Sequence, residues 1–140
     1  MIGLGCGARS YTRGLHYSSE YAVGSAGVRE IIAGYVDRSD ESFGFVDFGC
    51  EVDLDEQRRR WLIKSLFHVS GLDVGQYNAV FGTHPCEDFV AVREMIDAGQ
   101  LVERDGLMLP TPAGFEWSDA LAPMLFSDRI QSRSREYQFQ

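Results

Sequence analysis

LVERDGLML, residues 101–109, reads as two short strands around Asp105-Gly106. That dipeptide supplies the two positive φ values of a type I′ turn, so a β-hairpin is expected here. Three helical stretches lead into it. Asp53 is placed to cap a helix from Leu54 to about Val69, with Trp61, Leu62, Ser65, Leu66 and Val69 on one face and Arg58, Arg59 and Lys64 outside it. Gly71 ends that helix. Asp73 opens a shorter one through Phe81, with Val74, Tyr77 and Phe81 inward and Gly82 as its C-terminal cap. A third runs from near Pro85 to about Ala98, keeps Phe89, Val92 and Ile96 on one face and stops at Gly99. Beyond the hairpin, Thr111 and Pro112 start a helix to Leu125, bent at Pro123, with a stripe of Trp117, Leu121, Met124 and Leu125. Three helices and a hairpin are the winged-helix plan.

The first half is organised differently. MIGLGCGARS, residues 1–10, sets Gly3, Gly5 and Gly7 at alternate positions of a short apolar stretch, which reads as a strand running into a turn. A strand at the first residue needs partners from later elements or from preceding chain, which gives the expectation of a truncated beginning. AGVREIIAGYVDR, residues 26–38, spaces Val28, Ile31, Ile32 and Tyr35 as one face of an amphipathic helix. FGFVDFGCEV, residues 43–52, favours a strand or an extended linker. The tail, residues 127–140, is polar and mildly basic and reads as a final helix or a frayed end. The expected division is 1–20 for the strand and glycine loop, 21–52 for a connecting helix and strand, 53–126 for the winged-helix-like domain and 127–140 for the tail. The fold class is α+β, mainly helical.

Composition bounds the function. With 140 residues, 44% hydrophobic and 24% charged, the chain can bury a core but cannot hold two full catalytic domains. No apolar run approaches the ~20 residues of a bilayer span and the opening lacks a signal peptide's basic and apolar regions, so no membrane partner is expected and the setting is read as cytoplasmic. The net charge of −8 gives no general attraction to phosphate backbones. From His84 to Leu109, where a winged helix would read DNA, the balance is −4, which argues against nucleic acid as a partner. Cys6, Cys50 and Cys86 are too widely spaced for a metal knuckle or a disulfide framework, and His16, His68 and His84 are equally scattered.

GLGCGARSY, residues 3–11, resembles the GxGxGAxSY segment after the last barrel strands of the oxygen-independent coproporphyrinogen III oxidase family, radical S-adenosylmethionine (SAM) enzymes. EQRRRWLIKSLFHVSGLD, residues 56–73, is similar to the charged opening helix, short loop and "gLD" of that family's C-terminal domain. Gly99 to Gly114, with GQLVE and LPTPAG, is similar to its "glv…l.lT..G" pattern. The resemblance runs in order along essentially the whole chain and covers the C-terminal third of the family's length. The branch it looks most like is a bacterial group of oxidase-like proteins, and the heme-chaperone and heme-degrading branches share the architecture.

This resemblance implies a winged-helix-like domain preceded by the edge of a radical SAM barrel. It also implies SAM and a [4Fe-4S] cluster as cofactors of an intact parent. The chain by itself should hold neither and generate no radical, because the CxxxCxxC loop whose thiolates bind three irons is not in the sequence. The implied partners are the barrel carrying that loop and a tetrapyrrole substrate, decarboxylated at its propionates. Gly5, Gly7, Ala8 and Arg9 become cofactor contacts, Arg9 standing where the family commonly has His or an apolar residue. Glycines that only permit a tight strand end are the alternative, and a dinucleotide loop fails because too little chain precedes Gly3.

Arg58, Arg59, Arg60 and Lys64 form the dense positive patch. Arg58 and Arg59 are candidates to hold a substrate carboxylate, or the patch is a helix face paired with Asp53, Asp55 and Glu56. The cysteines read as packing residues, His68 as a half-buried side chain, His84 as a cap, and His16 with Tyr17 as a surface loop or part of the parent's active-site lining. No catalytic residue and no metal ligand stands out. The second functional reading is a stand-alone acidic winged helix that meets a basic protein. Apolar surface left uncovered by the barrel would drive self-association.

Overall fold

In the computed structural model, which describes residues 1–19, 22, 24–46 and 48–136, the glycine-rich opening is a turn that leads into a strand. Gly5 and Gly7 have φ of +97° and +74°, and the Ala8 N–H bonds the Gly5 carbonyl at 3.2 Å. The order expected from the sequence, strand then turn, is therefore reversed, since left-handed glycines cannot continue a regular strand. Strands β1 (Arg9–Tyr11), β2 (Leu15–Ser18) and β3 (Phe48–Glu51) follow as an antiparallel sheet in that order. The sheet is open, and no barrel closes among the described residues. Its register sets Ser10, Tyr17 and Gly49 in one row and Tyr11, His16 and Cys50 in the next, so the two rows face opposite sides.

Between β2 and β3 lie helix α1 (Ser25–Val36) and a 3-10 turn over Asp40–Gly44. α1 has the expected amphipathic pattern but buries nothing: Val28, Ile32 and Val36, one above another, are all exposed. Among the described residues up to Leu54, only Ser10 and Val52 are buried. These residues belong to one compact unit and residues 55–136 to a second.

The second unit is winged-helix-like. Helix α2 (Leu54–Leu66) leads to β4 (Leu72–Asp73), α3 (Val74–Phe81), α4 (Pro85–Asp88), α5 (Val90–Asp97) and the hairpin of β5 (Leu101–Arg104) and β6 (Leu107–Pro110). Asp105 and Gly106 take φ of 54° and 76°, as the turn requires, and β4 joins the hairpin in the order β4-β6-β5. Leu62, Leu66, Tyr77, Val92, Met95 and Met108 form the centre of the core. Asp73 caps α3 through the Gln76 N–H at 2.8 Å, and Gly82 closes it with φ 74°.

Three helix readings are corrected. α2 stops at Leu66, so Val69, expected on its inward face, is 92% exposed in the following turn. The third helix breaks at Phe89, whose backbone is extended while its side chain is buried, giving α4 and α5. The helix after the hairpin divides at Trp117 into α6 (Pro112–Glu116) and α7 (Ser118–Met124). Its stripe divides too: Leu121 and Leu125 are buried, Trp117 and Met124 exposed.

Helix α8 (Asp128–Glu136) accounts for most of the expected tail, while residues 137–140 lie outside the described residues, as do Glu20 and Tyr21 at the expected first boundary. No described helix is long and apolar enough to cross a membrane.

Gly114 is buried in α6, where a Cβ would run into the Gln100 carbonyl. Gly114→Ala is expected to destabilise the second unit by about 2 kcal/mol in urea unfolding. Gly34→Ala, in the open interior of α1, is expected to be neutral or to stabilise by about 0.5 kcal/mol.

Candidate functional site

A cleft of about 360 Å³ opens in the first unit where the glycine turn, the sheet and α1 meet. Gly3 is there because of close approach: a Cβ would lie 2.6 Å from the Arg9 carbonyl oxygen. Its N–H donates to Ser10 Oγ at 3.0 Å, and the Gly7 N–H donates to Ser19 Oγ at 2.6 Å, so the turn is pinned at both ends by serines. Ser10 is 2% exposed and lines the cleft beside Tyr17, its neighbour in the register. Gly49 completes that row, and a side chain there would press on the Cβ of Tyr17 at 2.9 Å.

The other wall is aromatic. Tyr35 of α1 meets the Phe43 ring edge-on at 5.3 Å between centroids, and Phe45 lies beside them. The Arg38 guanidinium sits 5.3 Å above the Phe43 ring. Its Nε donates to Ser42 Oγ at 3.1 Å and its Nη2 to the Ser42 carbonyl at 3.4 Å. An aromatic wall, a fixed cation and hydroxyl groups suit a small organic ligand better than a metal.

Of the residues implied as cofactor contacts, Gly5 and Ala8 line this cleft, whereas Gly7 and Arg9 are not part of its lining. Positive φ accounts for glycine at both 5 and 7, since a Cβ at either would meet nothing within 4 Å. His16 stacks on Tyr11 at 4.3 Å, in the row facing away from Tyr17. Sequence reading missed Ser10, Tyr35, Arg38, Phe43 and Phe45 as a group. The aromatic density of residues 43–48 was the available signal.

Arg58 and Arg59 are engaged within the second unit. Arg58 Nη1 lies 3.4 Å from Asp88 Oδ1, and its Nη2 donates to the Phe81 carbonyl at 3.4 Å. Arg59 Nε pairs with Asp55 Oδ2 at 2.7 Å, its Nη1 donates to the Leu125 carbonyl at 3.0 Å, and the guanidinium covers the Phe89 ring at 4.9 Å. Both cations thus stitch α2 to its neighbours.

His84 is a cap, as its position before Pro85 suggests. Its Nδ1 accepts the Cys86 N–H at 3.1 Å, and Nε2 lies 3.3 Å from Glu103 of β5. His68, expected half-buried, is exposed and bonds Ser70 Oγ at 2.8 Å, because α2 has already ended. Cys6 is exposed, Cys50 and Cys86 are half-buried, and burial followed by the charge of Glu103 pushes the Cys86 thiol up. Among the described residues no three His, Cys, Asp or Glu side chains gather to hold a metal ion. The residues present therefore do not fit an iron-sulfur cluster, while the cleft fits an organic ligand.

Comparison with protein families, with characterised proteins and with solved structures returns no match to this chain.

Asp88 Oδ2 accepts the hydroxyls of Tyr77 and Thr83, each at 2.7 Å. Burial first, then the Asp88 hydrogen bond and charge, raise the Tyr77 hydroxyl above its ordinary 10.0. The folded chain keeps this proton where the unfolded chain gives it up, so the contribution is full below pH 10 and is lost as pH rises beyond it. Tyr77→Phe is expected to cost about 1 kcal/mol near neutral pH and to flatten the alkaline fall in stability, read by urea unfolding across a pH series.

Proposed function

We propose that the chain is the C-terminal part of a radical SAM enzyme of the oxygen-independent coproporphyrinogen III oxidase type, acting in the cytoplasm. The observation that carries this reading is the succession of family-like segments along the chain in the family's order. GLGCGARSY spans the glycine turn and β1, RRWLIKSL lies on α2, GLD enters α3, and LPTPAG runs from β6 into α6. The uncovered apolar side chains of the first unit, among them Ile2, Leu4, Val28, Ile32 and Phe45, support it, because they await a covering protein surface such as a barrel.

In this reading, Gly5, Gly7, Ala8 and Arg9 form the edge of the SAM site, Gly5 and Ala8 from the cleft lining. SAM and a cluster held by the parent's own cysteines would supply the hydrogen abstraction that precedes loss of CO2 from a propionate. The winged-helix-like unit would cover the barrel mouth and exclude water from a tetrapyrrole substrate.

The second reading is an acidic winged-helix module for a basic protein. It draws on the exposed Glu94 and Asp97 of α5 and the exposed Glu103 and Asp105 of the wing, which also disfavour DNA.

The two readings part upstream of the Met1 codon. An open frame in which Met1 is internal and a CxxxCxxC loop precedes it is the expected result. A stop codon and a ribosome-binding site immediately before Met1 would overturn the enzyme reading and leave the acidic module.

A further inference from the structure

We propose that the outer side of α6 and α7 docks a basic amphipathic helix, whose apolar row seats along Trp117, Ala120 and Met124 and whose cations meet Glu116 and Asp119. The proposal rests on the acidic-module reading in taking the partner to be a basic protein, and deepens it by assigning the face.

The surface is apolar where the second unit's own core makes no use of it. Trp117 is 60% exposed, and Phe115 and Met124 are exposed beside it in the sequence. Protein interfaces concentrate aromatic and Met side chains of this kind. The base beneath them is fixed. Leu121 and Leu125 are buried in the core, and Thr111 ties the start of α6 to the Gly99 and Gln100 carbonyls at 2.7 and 2.9 Å. The row is therefore ordered before a partner arrives, which lowers the cost of binding.

Spacing selects a helical partner. Trp117, Ala120 and Met124 fall along one side of α7, two turns or about 10 Å in length. The small Ala120 between two large side chains makes a hollow for a single apolar knob, the means by which one helix seats on another.

Charge selects the partner's sign. Residues 105–128 carry Asp105, Glu116, Asp119 and Asp128 and no Lys or Arg. Arg59 reaches this segment at the Leu125 carbonyl and is already paired with Asp55. Glu116 and Asp119 are exposed beside the row, so they attract a basic helix and repel an anionic membrane. A second copy would bring the same acids against each other.

The test is an amide-resolved NMR titration of the full 140-residue chain with three helical peptides of about 14 residues. One has a Leu face and a Lys face, one keeps the Leu and replaces Lys by Glu, and one keeps the Lys and replaces Leu by Ser. The Leu/Lys peptide is expected to shift the Phe115, Trp117 and Met124 amides saturably and to bind at least about ten-fold tighter than either control. Trp117→Ala is expected to weaken it by about ten-fold or more, and Glu116→Lys with Asp119→Lys to reverse the preference between Lys and Glu peptides. Equal affinity for those two peptides on the unaltered chain would overturn the proposal, as would the lack of any saturable shift. Shifts of residues 115–124 on diluting the chain alone would also overturn it, in favour of a second copy. Saturable shifts confined to α5 and the wing, residues 94–105, would overturn this proposal and sustain the acidic-module reading. That reading fails instead on an internal Met1 preceded by CxxxCxxC, a result that leaves peptide binding on α6 and α7 where the titration puts it.

Discussion

The Asp88 carboxylate is the point on which the second unit turns. It receives two hydroxyls and faces a guanidinium: Tyr77 from α3, Thr83 from the segment before α4, and Arg58 from α2. A carboxylate taken largely out of water needs its lone pairs filled. Tyr77 can therefore be wholly buried only in the arrangement that brings its hydroxyl to this acid. Once α2, α3 and α4 are fixed that way, Leu62, Leu66, Val92 and Met95 close into one core. The hairpin is laid on that core through Leu101 and Met108. Gly71 lets the chain pass close under β6, where a side chain would meet the Met108 carbonyl at 2.8 Å. Apolar burial supplies most of the stabilisation, and the acid selects which packing receives it.

The first unit is held by different means. Backbone ladders, a pinned glycine turn and serine hydroxyls define its shape, and α1 contributes no buried side chain. At roughly 25 cal/mol per Å² of apolar surface, every exposed Ile or Phe is stabilisation not yet collected. The cleft lies within this surface.

The hairpin was legible because Asp-Gly has few alternatives at two successive positive φ values, and Asp73, Gly82 and Thr111 mark helix ends by equally local chemistry. What could not be read depends on partners far along the chain. Nothing near Val69 says that α2 ends three residues before it. Trp117 and Met124 have the right period for burial, but a break at Trp117 turns the stripe. The arginines looked like a binding patch because sequence spacing shows charge and hides the partners, Asp88 and the Leu125 carbonyl, that occupy it. The cleft escaped notice for a similar reason. Its aromatic wall and its serines are about thirty residues apart and meet only after the sheet and α1 are built. Residues 1–10 suggested close backbone approach correctly at Gly3, while Gly5 and Gly7 answer to turn geometry instead.

The edges of the two sheets have unlike fates under crowding. In the wing, β4 is only two residues long, and the outer strand β5 ends in the exposed, charged Glu103 and Arg104. An incoming strand finds little there to pair with. On the first sheet, Met1 and Tyr11 exchange two hydrogen bonds, of 2.9 and 2.8 Å, and so blunt the outer side of β1. The opposite edge, β3, runs Phe-Gly-Cys-Glu with Phe48 exposed. Polymerisation by strand addition would bypass the wing and start at Phe48–Glu51, so a charge introduced on that edge, and not a firmer core, is the change that would keep concentrated solutions clear.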